Sequence, residues 1–405
     1  MKKAVSVIIP VYNVENYLTQ CLDSVTLQTL NNIEILCIED CSQDSSLAIL
    51  QKYADRDQRI RVIKNIANVG LAASRNIGVQ HAAGEYIYFL DSDDILNLDA
   101  MEVLYKLGIE ENLDIIYFDT EEITELSGQI SAYACVHQAN VHGIYSGSEM
   151  FSLLMEQSDW DGCVWRQFYR RSLLLGKTPF REGQLHEDIA FAINIALKAQ
   201  RVKYLDRPLH KYRRRNGSIT ARIAPANIVG LLYAYFDVLD IAIHNSSDTR
   251  LNGALKERLL QLCAYVRHMY RQCEDIDEIY KSDNPVIGHL LNLITKDLYQ
   301  GMYPGKISRG KIAVIKKYRD IIIYGAGKAG IGLYEILMDL KIDILGFAVS
   351  SLENNEDNLK GKKVKLITEW QEYKGSALVI IAVKRKNLLF EELTALGYEN
   401  VLNIF

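Results

Sequence analysis

Up to residue 96, apolar residues fall in short, mostly β-branched runs that alternate with stretches of helical spacing. Val5-Ser6-Val7-Ile8-Ile9 stops at Pro10, and Val11-Tyr12-Asn13 leads into a helix whose apolar side is Tyr17, Leu18, Cys21, Leu22, Val25 and Leu27. Further runs follow at 33–38, 60–63 and 86–90, separated by helical stretches at 45–54 and 71–82. Short apolar runs bounded by turn signals and joined by amphipathic helices predict strands buried on both faces, as in a doubly wound α/β sheet.

The pattern then changes twice. A strand at 113–118 precedes a polar, poorly periodic stretch over 119–142 that reads as a loop or hairpin, with a helix at 147–155 and a strand at 202–205. After about residue 223 the segments 228–244, 251–273 and 287–298 have helical apolar spacing, and 301–317 is a Gly-, Pro- and Lys-rich linker. From Asp320 a strand runs into the turn Gly325-x-Gly327-x-x-Gly330, and strands are expected again at 344–349, 378–383 and 401–405. The expected divisions are 1–223, a helical region and linker over 224–318, and a small Rossmann-like α/β domain over 319–405.

The run Tyr86–Leu90 ends in Asp91-Ser92-Asp93-Asp94. Ligands of open α/β sheets collect at the carboxyl ends of strands, and hard cations such as Mn²⁺ or Mg²⁺ want oxygen ligands. A solvated loop or helix cap would explain a lone D-x-D equally well. A chain of 405 residues with 49% hydrophobic content can fill two or three cores. Its net charge of −5, with signs mixed throughout, argues against an overall fit to nucleic acid. Seven scattered cysteines without zinc-type pairing suggest reduced thiols and a cytoplasmic protein. Ala4–Ile9 is too short for a signal peptide, and no segment approaches the ~20 apolar residues of a membrane span, which leaves peripheral contact open.

Four motifs in order carry a resemblance: Pro10-Val11-Tyr12-Asn13 after the first strand; Glu39-Asp40-Cys41-Ser42-x-Asp44; Asn68-x-Gly70-Leu71-x-x-Ser74-Arg75-Asn76-x-Gly78; and Asp91-Ser92-Asp93-Asp94. Val5 to Leu96 closely resembles the nucleotide-sugar-binding half of the family-2 glycosyltransferases, and the similarity extends over about the first 220 residues. It implies a GT-A fold with a mixed sheet. It also implies that Pro10, Val11, Tyr12, Asn13 and Asp40 hold the base of a nucleotide sugar, with Asn68, Gly70, Arg75, Asp91 and Ser92 in the same donor site, and that Asp93 ligates a metal on the diphosphate. Cys41 stands where the family usually has glycine, so a tighter or slightly moved turn is expected there.

The segment 160–171 is aromatic and basic together, which suits a glycan acceptor, and Trp165 either stacks on a sugar there or packs in the core. Glu187-Asp188 directly precedes an apolar helical pattern, so both acids lie at the positive end of its dipole, where acids are also favoured for stability alone. The resemblance aligns Asp188 with the family's general base, with Glu187 in support and His186 at the acceptor. It also implies that members of the basic run 209–220, among them Arg213, Arg215 and Ser218, cap the diphosphate. His210 either completes the metal's ligands or is a packed histidine.

Together these imply a metal-dependent (Mn²⁺ or Mg²⁺), inverting transferase that moves a hexose from a UDP-sugar to a hydroxyl of a glycan, glycoprotein or lipid-linked acceptor. The alternatives are a sugar-nucleotide oxidoreductase using the C-terminal unit, or a non-catalytic glycan-binding scaffold. Against the former, the second strand of that unit ends Ala348-Val349-Ser350-Ser351, with no carboxylate for a ribose until Glu353. The additional units offer surfaces for a homodimer.

Overall fold

The computed structural model describes residues 2–126, 129–135, 141–176, 179–214, 223–273, 279, 285–292, 294, 311, 314–352, 357–382 and 386–403. They form two compact units, Met1–Asn292 and Leu293–Phe405.

In the first unit the expected alternation is present: β1 (Val5–Val11), α1 (Glu15–Thr26), β2 (Ile33–Glu39), α2 (Ser46–Ala54), β3 (Ile60–Lys64), α3 (Leu71–His81) and β4 (Tyr86–Phe89). Then come β5 (Ile95–Leu96), α4 (Ala100–Glu110), β6 (Ile115–Leu126), β7 (Gln129–Cys135), β8 (Ile144–Tyr145), α5 (Gly147–Glu156), β9 (Gln167–Arg170), α6 (Glu187–Lys198) and β10 (Val202–Arg214). The ten strands make one mixed sheet in the order β3-β2-β1-β4-β9-β6-β10-β5, with β7 on β6 and β8 on β10. From β3 to β4 the pairing is parallel, while β9 runs antiparallel between β4 and β6. Alternate β1 residues enter different cores. Val7 and Ile9 pack with Leu18, Leu22 and Tyr88, whereas Ile8 packs with Leu36, Phe89 and Phe191. Helices therefore cover both faces, which is why the strands read as unbroken apolar runs. The stretch 119–142 is a hairpin where described: β6 continues to Leu126 and β7 returns antiparallel.

Helices α7 (Pro225–His244), α8 (Thr249–Gln272) and α9 (Pro285–Asn292) complete this unit. Gly230 of α7 lies against the loop before α6, where a Cβ would come within 2.3 Å of the Leu185 carbonyl oxygen. One expectation needs correcting. At 20 residues and mean hydropathy 1.6, α7 is long and apolar enough to cross a bilayer, but 50% of that stretch is buried inside the unit, as in a core helix.

The second unit contains β11 (Ile321–Tyr324), α10 (Lys328–Asp339), β12 (Gly346–Val349), β13 (Asn358–Leu359), β14 (Lys362–Leu366), β15 (Leu378–Ile381), α11 (Lys386–Ala395) and β16 (Val401–Asn403), ordered β13-β14-β12-β11-β15-β16. All pairs are parallel except β13 with β14. A Cβ on Gly330 would lie 1.8 Å from the Gly325 carbonyl oxygen, so that glycine is required simply to start α10 against the turn.

Candidate active site

The acids after β4 divide by environment. Asp91 and Asp93 are partly exposed, but Asp94 is 1% exposed. Asp94 Oδ1 accepts from the Arg213 backbone N–H (2.7 Å), and Oδ2 lies 2.9 Å from His210 Nε2. Burial, then Asp93 and Asp91, raise the Asp94 pKa well above the ordinary carboxylate range. Tyr88 Oη donates to the Trp165 carbonyl (2.7 Å), so His210 Nδ1, 2.8 Å away, is the donor to that hydroxyl. His210 is fully buried with both nitrogens engaged, and burial pushes its pKa down to about 3. This corrects the expectation of a metal ligand: His210 is a packed histidine that holds the acidic loop. Trp165 stacks on His210 (4.8 Å, 17°) and on Tyr212 (5.1 Å, 6°), so its ring packs on protein rings rather than serving as the expected sugar platform.

Arg213 is also turned inward. It is 3% exposed, its Nε donates to the Asp93 carbonyl (2.9 Å), its Nη2 donates to Gln20, and its guanidinium lies 5.3 Å from the Tyr17 ring centre. It clamps the acidic loop where a cap on the diphosphate was expected. Arg215 and Ser218 lie outside the described residues.

The centre of the site is Arg75, 3% exposed on α3. Nη2 donates to Asp91 Oδ1 (2.8 Å), Nη1 donates to Glu187 Oε1 (2.5 Å), and the guanidinium lies 5.6 Å from the Phe180 ring centre. Burial alone would lower the pKa of Arg75; Asp91, Glu187 and Asp188 more than reverse that. Beside it, Asn76 donates to the Phe180 carbonyl and to Glu182 (both 2.9 Å) and accepts from the Phe180 N–H (3.0 Å). Thus α3 fastens the 180–187 segment to the sheet. His186 precedes α6 in left-handed backbone (φ 63°), which sets Glu187 and Asp188 in the helix's first turn. Asp188 is half-buried, and its carboxyl is pushed up to about 7 by burial first and then by Glu187, partly offset by Arg75, with Asp161 and Asp91 adding to the rise.

The donor-side loops are laced to one another. Pro10 and Val11 prove to be buried residues of β1, paired with Ile38 and Glu39, so the expected base-binding loop reduces to the exposed Tyr12 and Asn13. Asn13 Oδ1 accepts from the Gln43 N–H (2.7 Å), and its own N–H donates to Ser42 Oγ (3.2 Å). Asp40, 3% exposed, accepts from Asn65 Nδ2 (2.7 Å) and from the N–H groups of Val69 (2.9 Å) and Gly70 (2.8 Å), while Asn68 donates to its carbonyl. Its carboxylate anchors the Asn68–Gly70 loop.

Cys41 has φ 61°, the left-handed region that favours glycine. Its Cβ costs about 1 kcal/mol there, so Cys41→Gly is expected to raise the urea midpoint by the equivalent of a few tenths to about 1 kcal/mol. A lowered midpoint would refute the strain.

Residues 6–162 match the family described as Glycosyl transferase family 2. That stretch is a family-2 glycosyltransferase domain. Over 220 residues the chain is 34% identical to Glycosyltransferase GlyA of Streptococcus pneumoniae serotype 4, covering 53% of this chain and 31% of that one. It is 34% identical over 220 residues to the uncharacterized glycosyltransferase EpsJ of Bacillus subtilis (53% and 62%). It is 31% identical over 237 residues to a cholesterol galactosyltransferase of Borreliella burgdorferi (55% and 63%). The chain thus spans less than two thirds of the length of each.

Within this glycosyltransferase domain, Asp91 and Asp93 offer hard oxygen donors at a strand end, which fits a divalent cation that takes its remaining ligands from a diphosphate. No group of three or more His, Cys, Asp or Glu that could hold a metal occurs among the described residues. Sequence reasoning gave no role to Asn76, Asp161 or Arg258. Asp161 pairs with Arg166 at 2.6 Å, and Arg258 of α8 is close enough to Asp188 to act on it electrostatically. Asp161 lies in the aromatic and basic segment 160–171; Arg258 left no local signal.

Proposed function

We propose that the N-terminal unit is a metal-dependent, inverting glycosyltransferase that moves a hexose from a UDP-sugar to a hydroxyl of a glycan, glycoprotein or lipid-linked acceptor. The observation that carries this reading is the Arg75 bridge. One buried guanidinium joins Asp91, on the side where a diphosphate would lie, to Glu187, next to an acid whose pKa is raised to about 7. Asp188 takes the proton of the acceptor hydroxyl as that oxygen attacks the anomeric carbon. The bond from the anomeric carbon to the diphosphate oxygen breaks with its electron pair going to UDP. With one base and no protein nucleophile the displacement is single and inverts the anomeric centre. Asp93 and Asp91 would hold a divalent cation, which would supply positive charge for the leaving diphosphate. Tyr12 and Asn13, exposed at the end of β1, are the side chains best placed for the nucleotide base. The name of the Borreliella relative supports a hexose as the group moved.

For the C-terminal unit we infer assembly or acceptor recognition, because β12 runs into Ser350-Ser351 where a ribose-binding acid would stand.

The test is UDP release from UDP-glucose, UDP-galactose and their N-acetyl forms, with and without Mn²⁺. Asp93→Ala is expected to weaken Mn²⁺-dependent UDP binding at least ~10-fold, since one lost ligand leaves diphosphate charge facing the remaining carboxylates. Unchanged UDP affinity in Mn²⁺ by calorimetry would remove Asp93 from the metal site.

A further inference from the structure

At the N-terminal end of α6 the His186 ring meets the Tyr265 ring of α8 edge-on at 6.1 Å. Positions 258, 261 and 265 share one stripe of that helix. Arg258 Nη1 donates to Gln261 Oε1 (3.2 Å), and among the described residues this guanidinium has no carboxylate within 4.0 Å. Its Nε is buried without a partner, as is Nε2 of His186. Arg258 nonetheless lies within electrostatic reach of Asp188, Asp161 and Cys163, although burial holds its pKa below the ordinary value. Asp161 is already ion-paired with Arg166 (2.6 Å), and Asp188 also lies within electrostatic reach of Arg75. A guanidinium cannot shed its charge, so desolvating it with unmet donors is costly unless an anion arrives.

We propose that Arg258, together with His186 at the N-terminal end of α6, forms a subsite for an anionic group of the acceptor, a phosphate or carboxylate next to the hydroxyl that is glycosylated. The planar fork of arginine matches the paired oxygens of either group. This rests on the preceding reading, in which Asp188 marks where that hydroxyl sits.

The experiment titrates glycerol 3-phosphate, glucuronate and the neutral methyl glucoside into UDP-saturated protein by calorimetry. Saturable binding of either anion, at least ~10-fold tighter than the neutral sugar, is expected. Arg258→Gln should weaken it a further ~10-fold or more, with Arg258→Lys, which keeps charge without the fork, in between. UDP affinity should stay within about twofold in both variants, which also reports that they are folded. Equal affinity for the neutral sugar, or anion affinity untouched by Arg258→Gln, would overturn the proposal. A parallel loss of UDP affinity would do so too, by placing Arg258 on the donor. Failure of the wild type to bind UDP would instead overturn the transferase reading, and the anion titration would still read Arg258.

Discussion

Asp188→Asn is expected to lose sugar transfer by roughly 10²-fold or more while keeping UDP-sugar affinity, the scale of a removed general base. The amide is nearly isosteric but accepts no proton. Because burial and Glu187 push the Asp188 carboxyl up to about 7, wild-type transfer should fall as pH drops through that value, and the remnant activity of the variant should lack this limb. The same shift predicts a stability effect of definite sign. The folded state binds the Asp188 proton more tightly than the unfolded chain, so this group lowers stability progressively as pH rises from about 4 to about 7. Asp188→Asn should therefore melt higher than wild type at pH 8 and near it at pH 4. Equal transfer rates would move the base to Glu187; equal melting at pH 8 would show that the Asp188 carboxylate is not held at a cost.

Arg75→Met should have the largest effect on stability. It leaves Glu187 and Asp91 without the cation between them, with Asp188 adjoining, and breaking a buried pair in this way costs about 3–5 kcal/mol. Against a total of about 5–15 kcal/mol this is a large share. Adding Glu187→Gln removes one stranded charge, so the double variant should regain part of the loss, a coupling that a denaturant-based double-mutant cycle measures. Without Arg75 the Asp188 carboxyl loses a cation that opposes its rise, and the acid limb of any residual activity should move to higher pH. Additive losses in the cycle would mean that the bridge contributes nothing as a bridge.

The parallel part of the sheet was legible because its strands are buried on both faces and its helices on one, so each element carries its own periodicity. The antiparallel β9 was not, since Gln167-Phe168-Tyr169-Arg170 draws its strand character from β4 and β6 on either side. At the site, order along the chain brought Asp91, Asp93, Glu187 and Asp188 to notice. What each side chain faces is set by neighbours far away in sequence. Asp40 is occupied by a loop nearly thirty residues on. His210 faces Asp94 and Tyr88 across the sheet. Pro10 and Val11 were misread because β1 continues through the proline, whose missing N–H did not end the strand. Arg258 was invisible because a lone arginine in an amphipathic helix is indistinguishable from a surface cation until its helix is placed.

The contact at Gly230 bears on how such enzymes can be recombined. Texture suggests a seam near residue 223, where a designer would join this catalytic half to a different tail. Yet the backbone of α7 rests on the Leu185 carbonyl, one residue before His186-Glu187-Asp188, and nothing larger than hydrogen fits between them. A chimaera spliced at 223 would replace the buttress of the turn that carries Glu187 and Asp188, whereas one spliced beyond Asn292 would carry the whole first unit intact.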